Sequence, residues 1–170
     1  YTNLKEDKSI PCTQVPLYSD YIRWLEKQDK EEAMEFWTDY LCEYSKKASI
    51  PKYEKEDGKQ YRLEEVKFKL DESLTDGLRE IASTNQITLN TVFRCVWGIL
   101  LGKYNDIDDV VFGAATSVRP SDIMGIDSMV GLSINTIPVR VKINPGEDFS
   151  VLARRVQSAS VECERYNHYP

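Results

Sequence analysis

The hydrophobic pattern of this chain includes two nearly continuous apolar runs in its second half. The runs cover residues 110–117 and 129–141, and a polar loop that contains glycine and proline separates them. Runs of this kind are typical of strands that are covered on both faces. We therefore predict two strands, Val110–Ser117 and approximately Met129–Val141, joined by that loop.

Helical spacing of apolar residues marks five other segments. The spacing predicts helices over approximately 17–25, 33–44, 73–82, 88–100 and 149–163. We expect Ser73 to cap the third helix, with Asp76 completing a capping box, and Thr88 to cap the fourth. The fourth helix is apolar on more than one side, which predicts that it is the most buried. Residues 61–70 alternate in part between apolar and charged side chains. This pattern predicts a strand with one solvent-exposed face.

The predicted order is helix, helix, strand, helix, helix, strand, strand, helix. This order favours a layered α/β domain in which helices pack on a mixed sheet. A length of 170 residues corresponds to about one domain. Residues 1–15 are predicted to form an extended lead-in, and the charged run over 46–60 is predicted to be a solvated loop.

The charge and composition of the chain bear on which kinds of molecule it can bind. The chain has 28 acidic and 22 basic residues, a formal net charge of −6, and no basic stripe. Nucleic-acid binding needs clustered cations, so this balance argues against it. The chain has no run of roughly 18 apolar residues and no signal peptide, so we expect a cytoplasmic protein without a membrane span. It begins with Tyr rather than Met, which suggests a fragment or a processed chain.

The four cysteines are widely spaced and form no C-x-x-C pair. They lie at Cys12, Cys42, Cys95 and Cys163. Three of them fall within helical patterns, so we expect buried free thiols rather than disulfides or a metal site.

Polar residues interrupt or border the two apolar strands. They are Ser117, Arg119, Asn135 and Thr136. Because a buried polar group costs free energy unless it finds a partner, these residues are either hydrogen-bonded structural elements or a site. The Arg119 guanidinium suits a carboxylate, either in a salt bridge that pins the loop or as electrostatic support for a site. The Asn135 amide can donate to a developing oxyanion and accept from an amine, or it can bond to a neighbouring strand or helix end.

Two blocks of the chain carry recognisable motifs. FG-x-x-x-S-x-RP at Phe112–Pro120 precedes GI-x-x-MVG-x-x-INT-x-PVRV at Gly125–Val141, and YSDYIRWLEKQDKEEAMEFWTDYL spans Tyr18–Leu41. In order and spacing these blocks resemble the condensation domain of nonribosomal peptide synthetases. The catalytic His-His-x-x-x-Asp-Gly motif of that family has no match here, since the only histidine is His168. The resemblance therefore implies the C-terminal portion of a condensation domain, with no catalytic residue in this chain.

The resemblance also implies a fold and an activity. Residues 1–170 would form one C-terminal subdomain of the chloramphenicol-acetyltransferase-like fold, whose two halves form a V around a tunnel. The parent domain would form an amide bond between a donor thioester and an acceptor amine. Both would be tethered by phosphopantetheine arms on carrier proteins, with no cofactor bound directly. Further implied partners are the N-terminal half of the same domain and an adjacent adenylation domain. The alternatives are an epimerisation-type domain of the same superfamily and a non-catalytic module that docks carrier proteins.

Finally, the resemblance implies roles for individual residues. The implied tunnel residues are Ser117, Arg119, Gly131, Asn135 and Thr136. The implied bridging loop toward the other half includes Gly125, Ile126 and Met129. Gly131 either forms a simple bulge or lets a phosphopantetheine arm pass close to the strand. The chain departs from the family pattern at Val118, where glycine is typical, and at Ser133, where Phe or an aliphatic residue is common. We expect His168 to be structural or exposed rather than catalytic.

Overall fold

The computed structural model describes residues 15–50 and 64–169. Five α-helices, two strands and one short 3-10 helix lie in these ranges. They are α1 (Tyr18–Glu26), α2 (Lys30–Tyr40), α3 (Glu72–Thr84), α4 (Leu89–Asn105), β1 (Asp109–Ser117), the 3-10 helix (Ile126–Ser128), β2 (Ile134–Lys142) and α5 (Phe149–Arg165). The predicted lead-in falls almost entirely outside the described residues, as does part of the predicted charged loop.

Side chains cap two of the helices that flank the sheet. The Thr88 hydroxyl accepts a hydrogen bond from the Thr91 amide at 3.1 Å, which confirms the predicted cap of α4. The predicted cap at Ser73 is wrong. Asp71 caps α3 instead, because its carboxylate accepts from the Leu74 amide at 2.7 Å. Ser73 is therefore already inside the first turn.

The strand predicted over residues 61–70 does not form in the described part of that segment. Residues 64–70 are not part of a strand, and Val66 and Phe68 are largely exposed. The alternation of apolar and charged side chains gives one apolar face. A strand also needs a hydrogen-bonded neighbour, and within the described ranges β1 and β2 pair only with each other.

β1 and β2 form an antiparallel pair that spans both strands completely. Asp109 lies opposite Lys142, and Ser117 lies opposite Ile134. β2 begins later than predicted, because the 3-10 helix turns the chain there and the Met129 amide donates to the Ile126 carbonyl at 3.1 Å. In the described part of the chain this pair is the whole sheet, so the parallel pairing of a mixed sheet is not seen there.

One face of this sheet is covered and the other is covered only in part. Ile137, Val139 and Val141 alternate along β2 and are all buried. The far half of β1 is partly exposed, so the expected coverage of both faces is wrong for the described residues.

Helix α4 packs against the sheet at very short range. A β-carbon on Gly98 would lie 2.6 Å from the β-carbon of Val141, so only glycine allows this approach. α4 contributes more buried residues than any other described helix, as predicted. The main core is formed by α3, α4, α5 and β2 and contains Ala82, Ile87, Val92, Cys95, Val139, Val141, Leu152, Ala153 and Val156.

The edge of β2 is tied to α2 by Arg140. Its guanidinium donates through Nε to the Asp109 carboxylate at 2.9 Å, and through Nη1 to the carbonyls of Tyr40 and Cys42 at 2.8 and 2.9 Å. The Tyr40 hydroxyl in turn accepts from the Arg140 amide at 2.8 Å. Burial of the Tyr40 ring raises the pKa of its hydroxyl to about 12.

Two of the cysteines behave as predicted and a third does not. Cys95 and Cys163 are buried free thiols, and burial raises the pKa of each to about 11. Cys42 is also free but exposed, because it follows the last turn of α2 at the surface. Cys12 lies outside the described residues. No helix among the described residues is both long and apolar enough to cross a membrane.

Candidate functional site

A cavity of about 410 Å³ lies where β1 ends beside the last residues of the described chain. It brings two predicted site residues, Ser117 and Arg119, next to α1 and to the segment that follows α5. The cavity is lined by Trp24, Thr116, Ser117, Val118, Arg119, Pro120, Glu164, Arg165, Asn167 and His168. Gly131, Asn135 and Thr136 are not among these lining residues.

Arg119 is held by oxygen atoms of its own surroundings rather than by a carboxylate. Its Nε donates to the Ser117 hydroxyl at 3.2 Å, and its Nη1 donates to the Ile126 carbonyl at 2.7 Å. Among the described residues Arg119 forms no salt bridge, so that alternative is wrong for them. Its bond to the Ile126 carbonyl nevertheless holds the loop, as that alternative expected. Because these bonds use only part of the guanidinium, the exposed remainder can donate to an anionic or carbonyl oxygen in the cavity.

Asn135 acts as a clamp on the segment that carries His168. Its Nδ2 donates to the carbonyls of Asn167 and Tyr169, both at 2.8 Å, while its Oδ1 accepts from the Thr136 amide at 2.8 Å. Both amide hydrogens are used by the residues on either side of His168. This geometry fixes the path of the chain at the cavity wall. It agrees with the alternative in which Asn135 bonds to a neighbouring structural element. A direct role of Asn135 in the tunnel remains a prediction.

His168 packs its ring into the wall of the cavity. The ring meets Trp24 edge to face, with 5.7 Å between the ring centres. Its Nε2 is buried and has no hydrogen-bond partner in the described part of the chain. Burial lowers the pKa of the imidazole below its usual value, so the ring is neutral at pH 7. His168 is thus half-buried and packed, as expected of a structural histidine.

Trp24 is a cavity residue that reasoning from single residues did not identify. Its indole Nε1 donates to the Asp122 carboxylate at 3.2 Å, which connects α1 to the loop after β1. Its only signal in the sequence was its place in the Tyr18–Leu41 motif block.

Gly131 is in close contact with Tyr18 of α1. A β-carbon on Gly131 would lie 2.7 Å from Cε2 and 2.8 Å from Cγ of the Tyr18 ring. The Tyr18 hydroxyl donates to the neighbouring Leu132 carbonyl at 2.9 Å. The glycine is therefore needed for a close approach, as one alternative proposed, but in this structure the approaching group is a side chain of the same protein.

We expect Gly131→Ala to destabilise the protein by about 1 kcal/mol, because the new methyl group must displace the Tyr18 ring. Gly77→Ala is the matched control. It adds the same methyl group to a helix where nothing lies within 4 Å, and it should be neutral or slightly stabilising. Chemical denaturation measures both changes. In a double-mutant cycle with Tyr18→Ala, the cost of Gly131→Ala should largely disappear. Full additivity would contradict this explanation.

The predicted bridging loop is anchored by two of its named residues. Ile126 and Met129 are buried beside Tyr21 and Val118, and Gly125 adopts a φ of +76° that favours glycine. Met124, next to Gly125, is 93% exposed and is the most exposed apolar side chain of this loop. The loop therefore has a fixed base and an exposed tip. Its role in bridging remains a prediction.

The two departures from the family pattern contact each other. Val118 and Ser133 are both buried, and the Val118 amide donates to the Ser133 carbonyl at 2.6 Å. This bond continues the β1–β2 pairing by one step beyond Ser117. Both residues are thus accommodated without disrupting the sheet.

Comparison with known proteins gives a consistent result. A family model described as "Condensation domain" matches residues 1–170. Tyrocidine synthase 2 of Brevibacillus parabrevis is 44% identical over 170 residues, which is 100% of this chain and 5% of that protein. Bacitracin synthase 3 of Bacillus licheniformis is 40% identical over 169 residues, which is 99% of this chain and 3% of that protein.

Solved structures support the fold. The first condensation domain of the CDA synthetase matches with a TM-score of 0.78 and 17% identity, over 99% of this chain and 38% of that chain. The X-domain from teicoplanin biosynthesis matches with a TM-score of 0.76 and 20% identity, over 98% of this chain and 39% of that chain. The predicted α/β fold is thereby confirmed. The chain spans well under half the length of these solved relatives and a small part of the curated ones.

Proposed function

This chain belongs to the condensation-domain family of nonribosomal peptide synthetases, and we propose that it is the C-terminal subdomain of a domain that forms amide bonds. The observation that carries the proposal is the match of the condensation-domain model to all 170 residues. The similar proteins include synthases named for tyrocidine, bacitracin and gramicidin S.

The proposed reaction joins an acceptor amine to a donor thioester. The amine nitrogen forms a bond to the thioester carbonyl carbon, the carbon–sulfur bond breaks, and the sulfur leaves as a thiol after the nitrogen has lost a proton. Both substrates arrive on phosphopantetheine arms of a donor and an acceptor carrier protein. Holding the two tethered groups in one tunnel supplies much of the acceleration, because it replaces a bimolecular encounter by a positioned one.

In this proposal the catalytic histidine motif belongs to the N-terminal half of the same domain, and the present residues shape the acceptor side. Ser117 and Arg119 present a hydroxyl and free guanidinium hydrogens to the cavity. Asn135 holds the segment with His168 against Trp24. The Thr136 amide donates to the Asn135 side chain, and Gly131 lies against Tyr18 of α1. The loop with Gly125, Ile126 and Met129 extends toward the other half.

The test uses the longer synthetase protein with its two carrier proteins, one loaded with donor and one with acceptor. Intact-protein mass spectrometry of the acceptor carrier should show a mass gain equal to the donor acyl group. The isolated 170-residue chain, added under the same conditions, should give no gain.

Either of two results would overturn the proposal. One is no transfer when both carriers are confirmed to be loaded, which would favour a docking module. The other is inversion of a tethered residue without a change in mass, which would favour an epimerisation-type domain. Amide formation by the isolated chain would refute the assignment of the catalytic residues to the other half.

A further inference from the structure

The Trp24 side chain joins two segments that lie far from it in the sequence. Its indole Nε1 donates to the Asp122 carboxylate, and Asp122 belongs to the turn that follows β1. The same ring meets His168 edge to face, near the end of the described chain. Trp24, Arg119 and His168 all line the cavity of about 410 Å³. One side chain of α1 therefore connects two walls of this cavity.

The position of the Trp24 ring is itself set by the structure beneath it. The ring stacks on Tyr21, with 6.1 Å between the ring centres and 17° between the ring planes. Tyr21 is buried in a cluster with Val118, Ile126 and Met129. Because buried clusters are closely packed, a ring that rests on one has few alternative positions. Trp24 can therefore set the positions of the groups that it contacts.

Trp37 provides a comparison within the same protein. Its side chain is buried, its Nε1 donates to the Tyr166 backbone carbonyl at 3.2 Å, and it is not among the residues that line this cavity. Trp24 is only half-buried, lines the cavity and donates to the side chain of an exposed loop residue. Core packing explains Trp37. It does not explain why the polar atom of Trp24 reaches the turn that carries Arg119.

We infer that Trp24 is a positioning residue of the proposed amide-forming site, which holds the turn with Arg119 and the segment with His168 in place. The inference rests on the proposed function and adds a residue that acts through its neighbours rather than on a substrate. The free guanidinium hydrogens of Arg119 reach an oxygen atom in the cavity only from where the turn places them. A displacement of about 1 Å in a positioned site is enough to slow a reaction.

Trp24→Phe in the longer synthetase protein tests the inference, because it keeps an aromatic ring on Tyr21 and removes the indole N–H. With donor and acceptor loaded on their carrier proteins, we expect kcat for acyl transfer to fall about 5- to 10-fold. KM for the acceptor-loaded carrier protein should change by less than about 2-fold, because Trp24 is not proposed to bind the carrier protein. Near-UV circular dichroism at the assay temperature verifies that the variant is folded.

Two positions near Trp24 provide the control and the rescue. Arg23→Ala changes the neighbouring exposed residue of α1 and should leave kcat and KM within about 2-fold of the parent. Asp122→Ala removes the acceptor of the indole N–H and should lower kcat as much as Trp24→Phe. The double variant should be no slower than either single variant, because all three lack the same bond. Asp122→Asn keeps an acceptor oxygen and should retain at least about half of the parent kcat.

The outcomes separate this inference from the proposed function. Transfer at the parent rate in both Trp24→Phe and Asp122→Ala would overturn the inference and leave the proposed function standing. Full additivity of the two substitutions would also overturn it. No transfer by the parent protein, with both carriers loaded, would overturn the proposed function. Hydrogen exchange of residues 119–126 then tests the inference, since it should be faster in Trp24→Phe, and unchanged exchange would overturn the inference as well.

Discussion

Arg140→Ala should destabilise this protein by about 3 kcal/mol, because it leaves several partly buried polar groups without a partner. The arginine is bonded to the Asp109 carboxylate and to the carbonyls of Tyr40 and Cys42. The side chains of Arg140 and Asp109 are only 16% and 27% exposed, so water replaces these bonds poorly. In thermal unfolding we expect the midpoint to fall by about 6–12 °C.

The exposed pair of Arg23 and Asp20 provides the matched control for this experiment. Its N–O distance is 2.9 Å, but the two side chains are 68% and 43% exposed. Arg23→Ala should therefore change stability by less than about 1 kcal/mol. Arg140→Lys keeps the positive charge but lacks the planar guanidinium with its several N–H donors. It should therefore recover only part of the stability lost in Arg140→Ala. If Arg140→Ala and Arg23→Ala lower the stability equally, the bond to Asp109 contributes no more to the free energy of unfolding than an exposed ion pair does.

Asn135→Ala in the longer synthetase should slow amide formation by about 10- to 100-fold while the protein stays folded. The reason is positional, since the asparagine holds the carbonyls on both sides of His168. A displacement of about 1 Å in a positioned site is enough for a loss of this size. The mass-spectrometric transfer assay measures the rate. Hydrogen exchange of residues 164–169 should increase in the same variant, because the clamp is gone.

Asn85→Ala is the control for the asparagine experiment. The Asn85 amide also donates to a carbonyl and accepts from an arginine, but it lies at the end of α3 away from the cavity. We expect an unchanged transfer rate for this variant. An unchanged rate for Asn135→Ala would remove Asn135 from the site. A slower rate with unchanged hydrogen exchange would mean that Asn135 acts on the substrate directly and not through the clamp.

The helices could be predicted from sequence because each has a local signal. α4 is an example, since Thr88 marks its start and its apolar residues mark its length. The strand predicted over residues 61–70 had a local signal as well, but a strand is stabilised by a partner that can lie anywhere in the chain. Local alternation could not supply that information, and the described residues of this segment, 64–70, are not part of a strand.

The candidate site was predictable in its parts but not in its arrangement. The motif blocks identified Ser117 and Arg119, which the structure places in one cavity. The acceptor for Arg119 could not be predicted, because backbone carbonyls such as that of Ile126 are present everywhere in a sequence. Gly131 signalled a close approach without identifying the approaching group, which is Tyr18, more than a hundred residues earlier in the chain.

The wide separation of α2 and its partners along the chain has a consequence for synthesis on the ribosome. Glu32 accepts a hydrogen bond from the Tyr166 hydroxyl across 134 residues. Phe36 stacks on the same Tyr166 ring at 4.4 Å. At roughly 5–20 residues translated per second, α2 waits on the order of 10 s for this partner to emerge. During that time its aromatic residues are open to chaperones and to neighbouring nascent chains, so slower translation of the stretch between them should increase misassembly.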